Sequence, residues 1–330
     1  MPTLSILIPT YQRCNYLNLL LAELEMQLEA LPPGFVEVVI SDNCSEDATQ
    51  QFASAYANRN QMWTYNKHKT NIGADRNFLW LVEAAAGRFL WILGDDDLPR
   101  RGLIQYIANL LIADRPSLVF LPPLGLTNVH PLSKPPLQQL AFTKSSPHDF
   151  ARKYNYLMTL MSCWIISKDH LKGMQQQPDS FRGYVGSNLI QLSWCLPLLT
   201  SAGASCFAAS DICILSTMGN SGGYEVLRTF CINYADVVRS LVGSRTSLAN
   251  ALIEPYLRNF LPGLIYAVRI GNYNKPGHDG MVLRQSVKRL WSYLSFWFMC
   301  MPAFLLPLPL LRLIVLNGRK LKRGGPFRTV

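Results

Sequence analysis

Hydrophobic and polar positions over the first 121 residues switch back and forth between two periods. Leu4-Ser5-Ile6-Leu7-Ile8 is a short apolar run that predicts a buried strand, stopped by Pro9. From Asn15 the apolar positions Leu17, Leu20, Leu21, Leu24 and Leu28 follow helical spacing until Pro32-Pro33-Gly34 breaks the helix. Residues 36–40 predict a second strand that runs into Ser41-Asp42-Asn43. Ser45 suits the N-cap of a helix through about Ala57, with Glu46 and Asp47 in its first turn. Residues 62–65 predict a third strand, and Asn71-Ile72-Gly73 turns into a helix over residues 74–86 that Gly87 closes. A fourth strand over residues 89–93, a helix over 101–113 and a strand over 117–121 follow. Five alternations of strand and helix predict an α/β fold with an open, mostly parallel, doubly wound sheet.

Beyond residue 121 the pattern loosens. Residues 122–147 hold Pro122, Pro123, Pro131, Pro135, Pro136 and Pro147, and predict an irregular connection. A strand over 158–166, a short helix over 168–174, a helix over 187–199 broken near Pro197, and one or two strands over 204–215 come next. Residues 224–242 and 246–270 read as helices. The division that results is 1–121 as a ligand-binding half, 122–222 as the other half of the same domain, 223–284 as a helical region and 285–330 as a tail.

The tail changes the picture. Residues 290–311 are 22 positions without a charge, long enough to cross a bilayer, but Pro302, Pro307 and Pro309 argue against one straight span. Lys288 and Arg289 precede the run, and Arg319, Lys320, Lys322 and Arg323 follow it. Basic flanks on both sides favour an interfacial or re-entrant hairpin over a span, so the tail predicts peripheral or monotopic membrane association. A buried helix with a solvated tail is the other reading. Net charge is +10, yet no Asp or Glu occurs after Asp279 and nine basic residues do. The excess is therefore a basic C-terminus and not a nucleic-acid-binding field. Eight cysteines without a CxxC pair argue against a zinc site or disulfide framework and suit a reducing cytoplasm. Met1-Pro2-Thr3 leads into the first strand with no basic leader.

The chemistry centres on Leu93-Gly94-Asp95-Asp96-Asp97, where three carboxylates follow a buried strand. Adjacent like charges repel and need a cation to offset them; the alternative is a solvated acidic turn. Doubly wound sheets collect ligands at the carboxyl ends of their strands. The polar residues after each strand, Thr10, Tyr11 and Arg13, then Asp42 and Asn43, then the three aspartates, should converge on that edge. Carboxylates and phosphates are hard ligands, so the expected ion is Mg²⁺ or Mn²⁺.

Four stretches occur in order: Leu4 to Arg13, Val39-Ile40-Ser41-Asp42-Asn43-Cys44-Ser45-Glu46-Asp47, Asn71-Ile72-Gly73-Ala74-Asp75-Arg76-Asn77, and Leu93 to Asp97. Together they resemble the nucleotide-sugar domain of family 2 glycosyltransferases, which have the GT-A fold. Within that family the chain looks like bacterial transferases that add a sugar to a lipid-linked O-antigen unit, abequosyltransferase-like proteins in particular. The resemblance implies a donor such as a nucleoside-diphosphate dideoxyhexose. It implies a polyprenyl-diphosphate-linked saccharide as acceptor in lipopolysaccharide synthesis, and work on the cytoplasmic face of the inner membrane. In its terms Asp96 matches the metal carboxylate and Asp95 the one near ribose and sugar; Asp97 beside them is a second candidate metal ligand. Gly94 stands where many members carry the first acid of an Asp-x-Asp pair.

The residues themselves have fitting chemistry. Tyr11 can stack on a base, with Pro9 fixing the turn that presents it; Asp42 can accept from a base N–H; Arg13 and Arg76 suit base or phosphate contacts. Asn71 and Gly73 start a helix and allow close approach of a ligand. An inverting transferase also needs a general base. By the resemblance an acid is expected where this chain reads Gly183-Tyr184-Val185-Gly186-Ser187-Asn188, which has none. Asp179 is the nearest acid and the candidate base; a retaining mechanism needs no such group. A nucleotidyltransferase or nucleotide-binding module on the same sheet is the alternative, though the Gly-rich phosphate loop is absent. A non-catalytic scaffold is the third reading.

Overall fold

The computed structural model describes residues 1–175, 181–201, 203–218, 223–244, 246–272 and 280–313. Its contacts divide the chain into two compact units, one of Met1–Pro147 and Leu157–Gly219, the other of His148–Tyr156 and Asn220–Val330.

The first unit is built on eleven strands in two sheets. The strands are β1 (Leu4–Thr10), β2 (Val36–Asp42), β3 (Trp63–Lys67), β4 (Phe89–Ile92), β5 (Asp97–Pro99), β6 (Leu118–Phe120), β7 (Pro123–Leu126), β8 (Phe142–Ser145), β9 (Trp164–Ser167), β10 (Cys206–Ala209) and β11 (Ile214–Thr217). The large sheet runs β3-β2-β1-β4-β9-β6-β10-β8, and β5-β11-β7 form a second, three-stranded sheet. Six of the eight strands run the same way; β9 and the edge strand β8 oppose them. The expected α/β architecture with a mostly parallel sheet is therefore present. Helices α1 (Cys14–Leu28), α2 (Thr49–Arg59), α3 (Ala74–Ala84) and α4 (Leu103–Ala113) make the crossovers. Leu17, Leu20, Leu21 and Leu24 of α1 pack with Ile6, Ile8, Val38 and Ile40 in one apolar core. Burial of such side chains contributes about 1.5–3 kcal/mol each.

Several local expectations are corrected. Pro9 does not stop β1, which continues to Thr10 and pairs Pro9 with Ser41 of β2. β4 accompanies β1 only as far as Leu7, so the side on which Pro9 lacks a donor has no strand to bond. Ser45 is not an N-cap: α2 starts at Thr49, and the Ser45 hydroxyl instead accepts the Gln12 amide at 2.8 Å. Asp47 likewise accepts the Cys14 amide at 3.0 Å, at the start of α1. Gly87 is not a helix cap either; a Cβ there would lie 2.5 Å from the Ser5 hydroxyl, so it marks a close approach to β1.

Residues 122–147 are not an irregular connection, because they contain β7, a short 3₁₀ turn (Pro131–Ser133) and β8. Both strands lie on sheet edges, where proline is tolerated. The helix expected over 187–199 shrinks to two short pieces, Leu192–Cys195 and the 3₁₀ turn Pro197–Thr200. Asn188, at φ 58°, holds a left-handed conformation incompatible with a helix start, and Pro197 constrains the other end. The residues expected to form strand over 158–166 do so only from Trp164; before it stand 3₁₀ turns at Asn155–Thr159 and Met161–Cys163.

The second unit is helical. Numbering α5 (Pro147–Tyr154), α6 (Lys168–Gln175), α7 (Leu192–Cys195) and α8 (Val226–Arg228) in chain order, it is formed mainly by α9 (Tyr234–Val242), α10 (Ser247–Asn259), α11 (Leu261–Arg269), α12 (Gly280–Leu290) and α13 (Met301–Leu305). A π turn at Phe296–Cys300 precedes α13. The uncharged run over 290–311 is thus broken, with Phe296, Cys300, Ala303, Phe304 and Leu311 turned inward. Among the described residues no helix is long and apolar enough to cross a membrane.

Candidate active site

The acidic triplet sits where the chain leaves one sheet for the other. β4 ends at Ile92, the Leu93 amide still donates to Leu7, and by Asp97 the chain has entered β5, paired with Ser216 of β11. The hand-over takes only residues 93–96, which carry Asp95 and Asp96, and Asp97 follows as the first residue of β5. The Gly94 amide donates to the Ser162 hydroxyl at 2.9 Å. A Cβ on Gly94 would lie 3.2 Å from that hydroxyl and 3.3 Å from oxygens of both Asp96 and Asp97. Glycine is therefore the residue that leaves room for the two acids that follow it.

Each aspartate has its own surroundings. Asp95 is 3 % exposed; Thr10 at the end of β1 donates to one oxygen at 2.7 Å and Arg13 to the other at 3.0 Å. Burial pushes its carboxyl up to about 6, with Arg13 pulling down and Asp96 pushing further up. Asp97 accepts from Ser162 at 2.5 Å, and burial, then the charge of Asp96, push it up to about 7. The Asp96 side chain is the more open at 13 %, against 4 % for Asp95, and lies 3.3 Å from Arg13. Its backbone carbonyl is held by Thr217 of β11 at 2.6 Å. Arg13 thus bridges Asp95 and Asp96 as a single cation facing crowded carboxylates.

The other expected site residues gather around the ends of β1 and β2. Tyr11 is exposed, Pro9 is buried within β1, and Asp42 is fully buried. Asp42 accepts from the Ser45 amide and the Tyr65 hydroxyl, both at 2.8 Å, so a base N–H would have to share an oxygen with them. Asn71 accepts from Asn43 at 2.9 Å and from the Gly73 amide at 3.0 Å, while Asn43 accepts the Ile72 amide at 2.8 Å. These three bonds close the turn before α3. Gly73, at φ 85° and ψ 157°, adopts a conformation only glycine takes readily. Arg76 is exposed on α3. Asp179 lies outside the described residues.

Two contributors carried no signal in the sequence. Ser162 reaches Gly94 and Asp97 from a 3₁₀ turn 65 residues further on. Asp75, buried at the start of α3, accepts the Gly186 amide at 2.7 Å and the Asn188 amide at 3.0 Å. It ties the acid-free loop 183–188 to α3. Burial pushes its carboxyl above the usual range, and the Asn188 and Gly186 amides oppose that shift. Asp75→Ala should leave two amides without their acceptor, costing about 1–3 kcal/mol locally. Hydrogen exchange at Gly186 and Asn188 should accelerate; unchanged protection would show that the loop holds itself.

The residues fit a divalent cation of the kind held at phosphate sites. The donors are hard carboxylate oxygens, and crowding plus burial leaves excess negative charge that a cation would offset. Among the described residues no three metal-ligating side chains converge. Such an ion would therefore take one or two carboxylates, Asp96 and Asp97, and complete its shell from substrate oxygens and water, as Mg²⁺ commonly does.

Residues 5–174, just over half of the chain, match glycosyl transferase family 2. The chain belongs to that family. Over 95 residues it is 39% identical to abequosyltransferase RfbV of Salmonella typhimurium, a stretch that covers 28% of each chain. Solved structures of similar fold include Staphylococcus aureus TarS 1–349 in complex with UDP. Its TM-score is 0.58 at 17% identity, over 96% of this chain and 92% of that one. The mannosyltransferase PcManGT of Pyrobaculum calidifontis, in complex with GDP-Man and Mn²⁺, has a TM-score of 0.55 at 15% identity, over 99% and 82%. At these identities the structural likeness carries the fold alone, and with it the GT-A-type architecture of this family 2 member.

Proposed function

We propose that the protein transfers a sugar, a dideoxyhexose such as abequose, from a nucleoside-diphosphate donor to a polyprenyl-diphosphate-linked saccharide in O-antigen synthesis. It would act at the cytoplasmic face of the bacterial inner membrane. The observation that carries this reading is the meeting of Asp95 with Thr10, and of Asp95 and Asp96 with Arg13, at the carboxyl ends of β1 and β4. The partial likeness to an abequosyltransferase supports the choice of sugar and pathway.

In this reading the exposed Tyr11 ring stacks on the base, with Asp42 behind it for a base N–H. The backbone at Asn71 to Gly73 and the Arg76 guanidinium take the phosphate side. Asp95, held by Thr10 and Arg13, orients the ribose and the transferred sugar. Asp96 and Asp97 would hold Mg²⁺ or Mn²⁺. When bound, that ion offsets the charge that develops on the departing diphosphate. Arg13 brings a second positive charge to the same place and, unlike a water, needs no reorganisation to stay there. Asp179 is assigned as the base that takes the acceptor hydroxyl proton if transfer inverts the anomeric centre.

A donor screen tests this. Incubation with UDP-, CDP-, GDP- and dTDP-sugars should give slow, Mg²⁺- or Mn²⁺-dependent release of nucleoside diphosphate from one nucleotide class. Release of pyrophosphate instead would assign nucleotidyl transfer. Neither binding nor turnover with any donor would remove catalysis altogether.

A further inference from the structure

The helical unit carries a concave site that the sugar-transfer reading does not use. A cleft of about 700 Å³ is lined by Arg239, Glu254, Lys288, Arg289, Trp291 and Tyr293 among others. Three of these six side chains are cations and one is an acid. Glu254 is already engaged, accepting from Ser295 at 2.5 Å and pairing with Arg258 at 3.4 Å. Arg289 pairs with Asp236 at 2.7 Å, and Arg239 donates to the Arg289 carbonyl at 2.7 Å while lying over the Tyr293 ring at 5.8 Å. These contacts hold both guanidiniums in fixed places. Lys288 is exposed and makes no ion pair among the described residues. The cleft therefore presents a surplus of positive charge from two held guanidiniums and one exposed ammonium, an arrangement that suits a phosphate monoanion or diester.

The surface beside the cleft is apolar. Trp291, Leu294 and Phe298 are 60%, 72% and 74% exposed, and Trp297 and Met299 are exposed with them. They are not loose: Trp297 Nε1 donates to the Trp291 carbonyl at 2.7 Å, and Tyr293, Phe296 and Cys300 from the same turns are buried. On α12 the outward positions Met281, Arg284 and Lys288 recur at helical spacing and lead to Trp291. Val282, Ser286 and Leu290 face inward. A soluble anion gives no reason for aromatic and aliphatic side chains held out in water next to its site. A bilayer does, because indole rings settle at headgroup depth, apolar side chains enter the acyl region, and cations meet the phosphates.

We propose that this cleft binds the phosphate of an anionic glycerophospholipid, with Lys288 and Arg289 on the phosphate and Trp291, Leu294 and Phe298 seated among the acyl chains beside it. This site is independent of the donor chemistry, and a chain that transfers nothing would still bind there.

Sedimentation of the full chain with vesicles tests it. Phosphatidylcholine vesicles containing phosphatidylglycerol should bind the protein, and pure phosphatidylcholine should bind it much less. Lys288→Gln should weaken binding about fivefold, the loss expected for one basic residue near an anionic surface. Trp291→Ser with Phe298→Ser should weaken it on the order of tenfold or more, from the apolar area kept out of the bilayer. All these side chains are exposed, so thermal midpoints should stay within a few degrees, which separates lost binding from lost folding. Equal binding to neutral vesicles, or no change on Lys288→Gln, would overturn the phosphate site. Displacement from vesicles by inorganic phosphate at millimolar concentration would assign the cleft to a free anion and overturn the lipid.

Discussion

Asp96→Ala should lower transfer by on the order of 10³-fold while leaving the protein folded. The rate effect follows from where the charge develops. Groups aimed at a departing anion in a site that excludes water are the largest single contributors to such rates, and removing one costs about 10²–10³. Asp96 is more open than Asp95, 13% against 4%, and so can share a cation with substrate phosphates. The fold should survive because the tie to β11 runs from Thr217 to the Asp96 backbone carbonyl, which alanine retains. The substitution also removes the charge that pushes Asp95 and Asp97 upward. A chelator should reproduce the loss in the unaltered protein, and added Mn²⁺ should not rescue the variant. The measurement is nucleoside diphosphate release beside a thermal melt. Activity retained within a few fold would remove Asp96 from the metal site.

Arg13→Met should be costly in a different way, through stability as well as transfer. Its side chain is 28% exposed while Asp95 is 4% exposed, so methionine would strand a buried carboxylate beside Asp96, with Thr10 as its remaining hydrogen-bond donor among the described residues. Breaking a buried pair by removing one partner costs about 3–5 kcal/mol, and the partial exposure of Arg13 brings the expectation down to about 2–3 kcal/mol. Denaturant melts should show that loss. Arg13→Met combined with Asp95→Asn should recover most of the stability, because no uncompensated charge remains, yet transfer should stay low since both donor contacts are gone. If the double variant is as unstable as the single one, Arg13 stabilises the loop by packing and not by charge.

The structure also changes how the C-terminal segment is tested. Deleting residues 285–330 would remove Leu290, Phe296, Cys300 and Phe304 from the interior of the helical unit. A truncated chain that no longer met membranes could simply be unfolded. Exposed substitutions at Lys288, Trp291 and Phe298 avoid that ambiguity.

Local pattern was enough for the first four strands, the helices between them and the direction of the sheet. A buried strand and an amphipathic helix each write their period into a short stretch of chain. The polar residues that follow those strands were legible for the same reason, since a parallel sheet brings its strand ends to one edge. Where local signals failed, a residue had been drawn into a distant contact. Ser45 looked like the N-cap of a helix but accepts the Gln12 amide across the strand ends, and Asp47, which does accept the Thr49 amide at the start of α2, also reaches Cys14. Pro123 looked like loop but opens the edge strand β7.

Residue order along this chain therefore determined a mostly parallel α/β sheet and the placing of polar residues, three aspartates among them, just past the ends of its strands. Tertiary structure alone decided that antiparallel β9 enters between β4 and β6 and that the turn before it delivers Ser162 to Gly94 and Asp97. It also decided that Asp97 opens a second sheet and that Asp75 holds the loop over Gly186 and Asn188. These contacts join residues 65 to more than 110 positions apart. No periodicity of the intervening chain encodes such a pairing; it exists only once the packing of buried side chains has closed the distance.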